Sequence, residues 1–300
     1  MTENSNVEIQ TSDAKGIRKG YLFLSFIPFA IVMAVQTATT LPGVILAMID
    51  MNKEGLPMEL SVMMEIFNKK YAVAGYVAYC VICIAIFIPW YYKAIVKKSP
   101  KVDYRKALGI QPVAVAFTLL VGLFFVIVGF FVIADTVFPN AMNRYYEFAQ
   151  MSSLGTNMAI TLIYGDLLGP VTEELCFRGL MYGLLEKSRI HYLLAILIQG
   201  LLFGILHMNL VQGIYAFFLG SILCYIRYRY KTVIITIGAH IIFNIFGTSV
   251  EMAMDSAGVT NMQKLIFASV AAVISVILLV VLVKDKKSYI KEPEDTKALS

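Results

Sequence analysis

Gly169-Pro170-Val171-Thr172-Glu173-Glu174-Leu175-Cys176-Phe177-Arg178-Gly179 sets three ionisable side chains inside a long apolar run. At bilayer depth each costs about 2.5 to 3.5 kcal/mol even on a lenient insertion scale, so a chain retains them only with partners or a task. Gly169-Pro170 suits a helix start, because proline at the first helical position gives up an amide that would lack a partner there. On a straight helix Glu173 shares its face with Phe177 and Leu180, whereas Glu174 lies about 100° round and meets Arg178 at i+4. The two glutamates therefore divide their work. Glu174 has an internal counter-ion, and Glu173 must find a partner on another helix. The competing reading is a buried ion pair with a spare acid.

The whole chain shares this apolar setting. Of 300 residues 59% are hydrophobic and 15% charged, and the mean hydropathy is +0.74. Globular chains run near 45 to 50% apolar and 25% charged. The composition predicts an all-α polytopic membrane bundle. Runs of bilayer length, about 17 to 25 residues, fall near 20–48, 71–95, 110–134, 157–186, 192–208, 211–226, 232–250 and 264–283, which gives about eight transmembrane helices around a polar site inside the bilayer. The organisation expected is a cytoplasmic tail over 1–19, amino-terminal helices and loops over 20–156, a core over 157–250 that holds the polar site, and a last helix with a basic tail over 251–300. The first apolar run is too long for a signal-peptide core and is expected to remain as an anchor. Segments 50–70 and 138–156 are expected on the outer surface, and spans 5 and 6 are short and joined near Asn209.

Lys and Arg set the orientation. Alternate loops and tails carry 19 of them on one side and 5 on the other, with Arg178 inside a span. Both termini and the 96–108 loop are expected in the cytoplasm, and the plasma membrane is the expected location. Trp90-Tyr91-Tyr92-Lys93 reads as an aromatic belt meeting a basic anchor. The net charge of +5 is spread over loops, which excludes a nucleic-acid partner and leaves the lipid bilayer as one. Cys80, Cys83, Cys176 and Cys224 all lie in apolar runs and read as packing residues. Gly179-x-x-x-Gly183 and Gly200-x-x-x-Gly204 permit close helix approach.

Two of the three histidines sit in or at the end of apolar spans. Phe203 and His207 are i and i+4, and His240 and Asn244 repeat that spacing. His191, beside Arg189, reads as solvated. A carboxylate in an apolar setting can take a proton from water near neutrality, which fits Glu173 as general base. Histidine orients such a water or binds a metal, and a His/Asn pair supplies donors to an oxyanion. The chemistry that fits is amide hydrolysis.

Glu173-Glu174-x-x-x-Arg178, then Phe203-x-x-x-His207, then His240-x-x-x-Asn244 resemble, in order, the motif set of the CPBP family (CAAX proteases and bacteriocin-processing enzymes, also called the Abi family) of intramembrane endopeptidases. The resemblance covers about residues 157–248 and implies an eight-helix fold. It implies Glu173 as activator of water, His207 as its orienting group, His240 and Asn244 as oxyanion donors or ligands, and Glu174, Arg178 and Phe203 as support. Cleavage near a carboxyl end or in a membrane-proximal peptide follows from it, in CAAX-type processing, peptide maturation or self-immunity. The family has been described both as metalloproteases and as glutamate-dependent, so the cofactor is none or zinc. Glu173, His207 and His240 would be the zinc ligands; against that, no His-Glu-x-x-His is present, and a ligating Glu173 is lost as base. Two other classes remain open, a proton-coupled transporter using Glu173, Glu174 and His207 as a relay, and a non-catalytic scaffold or immunity protein.

Overall fold

A computed structural model describes residues 16–153, 162–282 and 289–290. The chain folds as a helical membrane bundle, with no strand among the described residues. In order the helices are α1 (Lys19–Leu24), α2 (Ile27–Lys53), α3 (Leu60–Lys70), α4 (Ala72–Ala94), α5 (Tyr104–Ala107), α6 (Ile110–Val137), α7 (Pro139–Ser153), α8 (162–187), α9 (Tyr192–Leu206), α10 (Leu210–Tyr230), α11 (Val233–Ser256) and α12 (Asn261–Leu282). Six stretches are long and apolar enough to cross a membrane: Lys19–Lys53, Ala72–Lys98, Tyr104–Val137, Leu210–Tyr230, Val233–Ser256 and Asn261–Val280. With α8 and the shorter apolar α9 they make the expected set of about eight. The part of the fourth expected span before residue 162 lies outside the described residues.

Helix ends follow from local chemistry. Asn209 accepts a hydrogen bond from the Gln212 amide at 3.1 Å, and Thr232 from the Ile234 amide at 3.2 Å, each occupying a first-turn donor that lacks an intrahelical partner. Lys231 ends α10 in the left-handed region at φ 61°. α10 therefore runs to Tyr230, past the expected end at 226, and carries Arg227 inside the protein with 4% exposure. The 50–70 segment holds the end of α2 and the helix α3, and 138–156 contains α7.

α8 is central. It packs against α2 and α4 on one side and against α9, α10 and α11 on the other. Around it the apolar core includes Phe87, Phe177, Leu180, Phe203, Leu223 and Cys224. Lipid is as apolar as these side chains, so packing here depends on close backbone approach at small residues. A Cβ on Gly204 would stand 2.6 Å from the Gly213 carbonyl oxygen of α10, and one on Gly183 2.8 Å from Ile95. Both small-residue motifs are thus seats for a neighbour. α12 lies along α6.

The segments carrying the basic excess share one face. The Arg18 amide donates to the Ser188 carbonyl at 3.0 Å, the Lys187 ammonium to the Ala94 carbonyl, Lys231 pairs with Glu186 at 3.2 Å, and Val102 bridges Ile290. The opposite face holds α3 against α7, where Asn68 donates to the Ser152 carbonyl at 3.1 Å.

Candidate active site

α8 is not uniform. Between two α-helical stretches, Gly169–Glu174 and Tyr182–Lys187, Leu175–Met181 winds as wide π-type turns. Such turns are rare and concentrate at functional sites. Straight-helix angles do not carry over unchanged through this stretch, although Glu174 and Arg178 still meet at i+4. Phe177 packs on Phe203 and Phe29, with ring centroids 5.1 and 6.2 Å away.

Glu174 and Arg178 are fully buried and bonded, Arg178 Nη1 donating to Glu174 Oε1 at 2.8 Å. The same Oε1 lies 3.0 Å from His240 Nδ1 on α11. An ionised carboxylate only accepts, so His240 Nδ1 carries the proton of that bond. His240 Nε2 then points the other way, 3.8 Å from Glu173 Oε2. Glu173, with its side chain 19% exposed, thus meets its partner on another helix, and that partner is itself oriented by Glu174. A carboxylate behind a histidine fixes both ring orientation and tautomer.

Phe203, 1% exposed, is the hub beside this pair. The Arg178 guanidinium lies 4.4 Å over its ring centroid, and the rings of His207 and His240 meet it edge-on at 5.1 and 5.9 Å. His207 closes α9 with Nδ1 2.9 Å from the Phe203 carbonyl, which leaves Nε2 available. Gly220 of α10 makes room for the cluster, since a Cβ there would stand 3.0 Å from Phe203 and 3.3 Å from Arg178 Nη2. Asn244 is half-buried one turn beyond His240 on α11. His191 lies elsewhere: it caps α9, accepting from the Leu193 amide at 3.4 Å, and packs against Tyr192.

Sequence reasoning missed part of this wall. α4 reads as a featureless span, yet it packs against α8, and its Tyr79, Cys80 and Cys83 are buried in the same core as Cys176 and Phe177. Asp166 lies about two turns before Glu173 on α8. The available signal was two tyrosines three apart in an apolar run, with Cys80 and Cys83 continuing the stripe. All four cysteines are free and buried.

Among the described residues no three His, Cys, Asp or Glu side chains stand together closely enough to hold a metal ion. Glu173, His207 and His240 therefore do not fit a zinc centre in this geometry, which needs ligand atoms about 2.0 to 2.2 Å from one point.

Residues 155–246 match the family described as Type II CAAX prenyl endopeptidase Rce1-like. Over 87 residues the chain is 29% identical to a Bacillus subtilis (strain 168) protein named "Putative membrane peptidase YdiL", the alignment spanning 29% of this chain and 35% of that relative. No solved structure matches significantly. The likeness is thus to CAAX-type membrane proteases, and it falls on α8 to α11, the helices that build the site.

Proposed function

We propose that this protein is an intramembrane endopeptidase that hydrolyses a peptide bond in a membrane-associated protein or peptide with a glutamate-activated water. The observation that carries the reading is the Glu173–His240 pair, 3.8 Å apart, backed by the buried Glu174–Arg178 ion pair. A water in that gap gives one proton to each acceptor, Glu173 Oε2 and His240 Nε2, and turns a lone pair outward. As it attacks a carbonyl carbon, Glu173 takes a proton and later passes it to the leaving amine.

This assignment alters the role first expected of His240. With Nδ1–H held by Glu174, neutral His240 has no N–H on its Glu173 side, so it holds water with Glu173 and does not donate to the oxyanion. Asn244, whose amide donates in every protonation state, takes the oxyanion role, and His207 orients the substrate or the water through Nε2. The likeness to a CAAX prenyl endopeptidase family supports a substrate cleaved near its carboxyl end at the membrane surface.

The test is cleavage of membrane-anchored peptides, with and without a prenyl group, by purified protein in vesicles. Wild type should generate new peptide termini that Glu173→Gln protein, folded to the same extent, does not. Equal cleavage by both would overturn the mechanism, and no cleavage of any anchored peptide by wild type would favour a scaffold or transporter.

A further inference from the structure

On the face that carries the basic excess, a cavity of about 540 Å³ lies between the start of α1, the end of α4 and the end of α8. Arg18, Tyr21, Leu24, Trp90, Lys98 and Leu184 contribute to its wall. A third cation adjoins it, because the Lys187 ammonium donates to the carbonyl of Ala94, which also lines the cavity. Lys98 stands close enough to Lys187 for their charges to repel. No carboxylate lines the cavity, and among the described residues neither Arg18, Lys98 nor Lys187 has an acidic partner. Glu186, the acid next to Lys187, is taken by Lys231.

Three cations around one concave site, with a Trp, a Tyr and two leucines below them, match an amphipathic anion. An arginine fork binds a phosphodiester through paired N–H donors, lysines add point charge, and interfacial Trp and Tyr mark the headgroup level of a bilayer. We propose that this cavity binds the headgroup phosphate of an anionic phospholipid, with the first part of an acyl chain along Tyr21, Leu24 and Trp90. The bound lipid ties α1 and α4 to the inner end of α8, the helix that carries Glu173. The site is separate from the catalytic centre and independent of the catalytic reading.

The test uses full-length protein in nanodiscs of phosphatidylcholine with a minority of phosphatidylglycerol, read by native mass spectrometry. Wild type should retain one phosphatidylglycerol. Arg18→Gln/Lys98→Gln protein should bind it about 30-fold more weakly, at about 1 kcal/mol for each cation near a membrane surface. Lys101→Gln/Arg105→Gln protein, which loses the same charge from the neighbouring exposed segment at the start of α5, should bind as wild type does. An equal loss in both variants would mean diffuse surface attraction and overturn the site. Absence of any adduct on wild type would do the same, leaving the acids of residues 1–15 as the competing occupant. Displacement of the lipid by inorganic phosphate would assign the site to a free anion instead. If the double variant fails to fold, photoactivatable phosphatidylglycerol on wild type decides: labelling must fall on peptides containing Tyr21 or Trp90, and labelling elsewhere would refute the proposal.

Discussion

Glu174 does two things with one oxygen. Its Oε1 accepts from Arg178 at 2.8 Å and lies 3.0 Å from His240 Nδ1, so the buried ion pair and the proposed catalytic histidine meet in a single atom. Replacing Glu174 by Gln is therefore expected to lower kcat per folded molecule by about 10- to 100-fold, as loss of an outer partner of a working histidine does. It should also reduce folded yield, because Arg178 is left buried without its charge partner. Arg178→Ala is expected to act mainly on yield, breaking a buried pair at about 3 to 5 kcal/mol. Normal expression and full activity of Arg178→Ala, measured by detergent-solubilised yield and turnover, would contradict the pairing. Asn244→Ala should lower kcat by about 10² to 10³ with little change in KM, the signature of a lost oxyanion donor. A change confined to KM would place Asn244 in substrate binding.

The α9–α10 pair is the element on which the site depends, because α9 carries Phe203 and His207 and sits directly on α10. Gly200 and Gly204 face α10 so closely that a side chain on either would meet Ser221 or the Gly213 backbone. Backbone atoms cannot swing aside, so Gly204→Val is expected to force the helices apart and abolish activity. Gly238, mid-helix in α11 with nothing within 4 Å of an added Cβ, is the matched control. There Gly→Ala should be neutral or raise the apparent Tm, since alanine loses about 0.5 to 1 kcal/mol less entropy in a helix. A tolerated Gly204→Val, judged by thermal unfolding and activity, would show that the close approach is dispensable. The π-type turns of 175–181 belong to the same scale: this stretch of α8 packs against α2, α4, α9, α10 and α11.

At the scale of the molecule the question is which face looks inward. The contacts among Arg18, Ser188, Ala94, Lys187, Lys231, Glu186 and the 102–290 bridge gather the basic segments on one side, and the positive-inside rule predicts that this side faces the cytoplasm. A cysteine at Lys101 should be inaccessible to a membrane-impermeant maleimide in intact cells. One at Met58, 67% exposed on the other face, should react. Gly55 is a poor probe site, since φ of 64° strains any other residue there. Strong labelling at 101 in intact cells would reverse the orientation.

The sequence alone determined the class and the ingredients. Its apolar fraction and run lengths required a helical bundle, because a backbone in lipid must satisfy its own hydrogen bonds, and the i+4 spacing of Glu174 and Arg178 fixed their pair within one helix. It also singled out Glu173, His207 and His240, because polar groups in lipid stand out against an apolar background. Only the tertiary structure decided how these groups are shared. That His240 turns Nδ1 to Glu174 and Nε2 to Glu173 depends on where α11 crosses α8, 66 residues away in sequence. The packing of Tyr79 against α8 and the room Gly220 leaves for Phe203 were equally hidden, since a tyrosine or glycine in an apolar span looks the same until the neighbouring helix is in place. Local spacing specifies neighbours along one helix, and nothing in it specifies which faces of two distant helices meet.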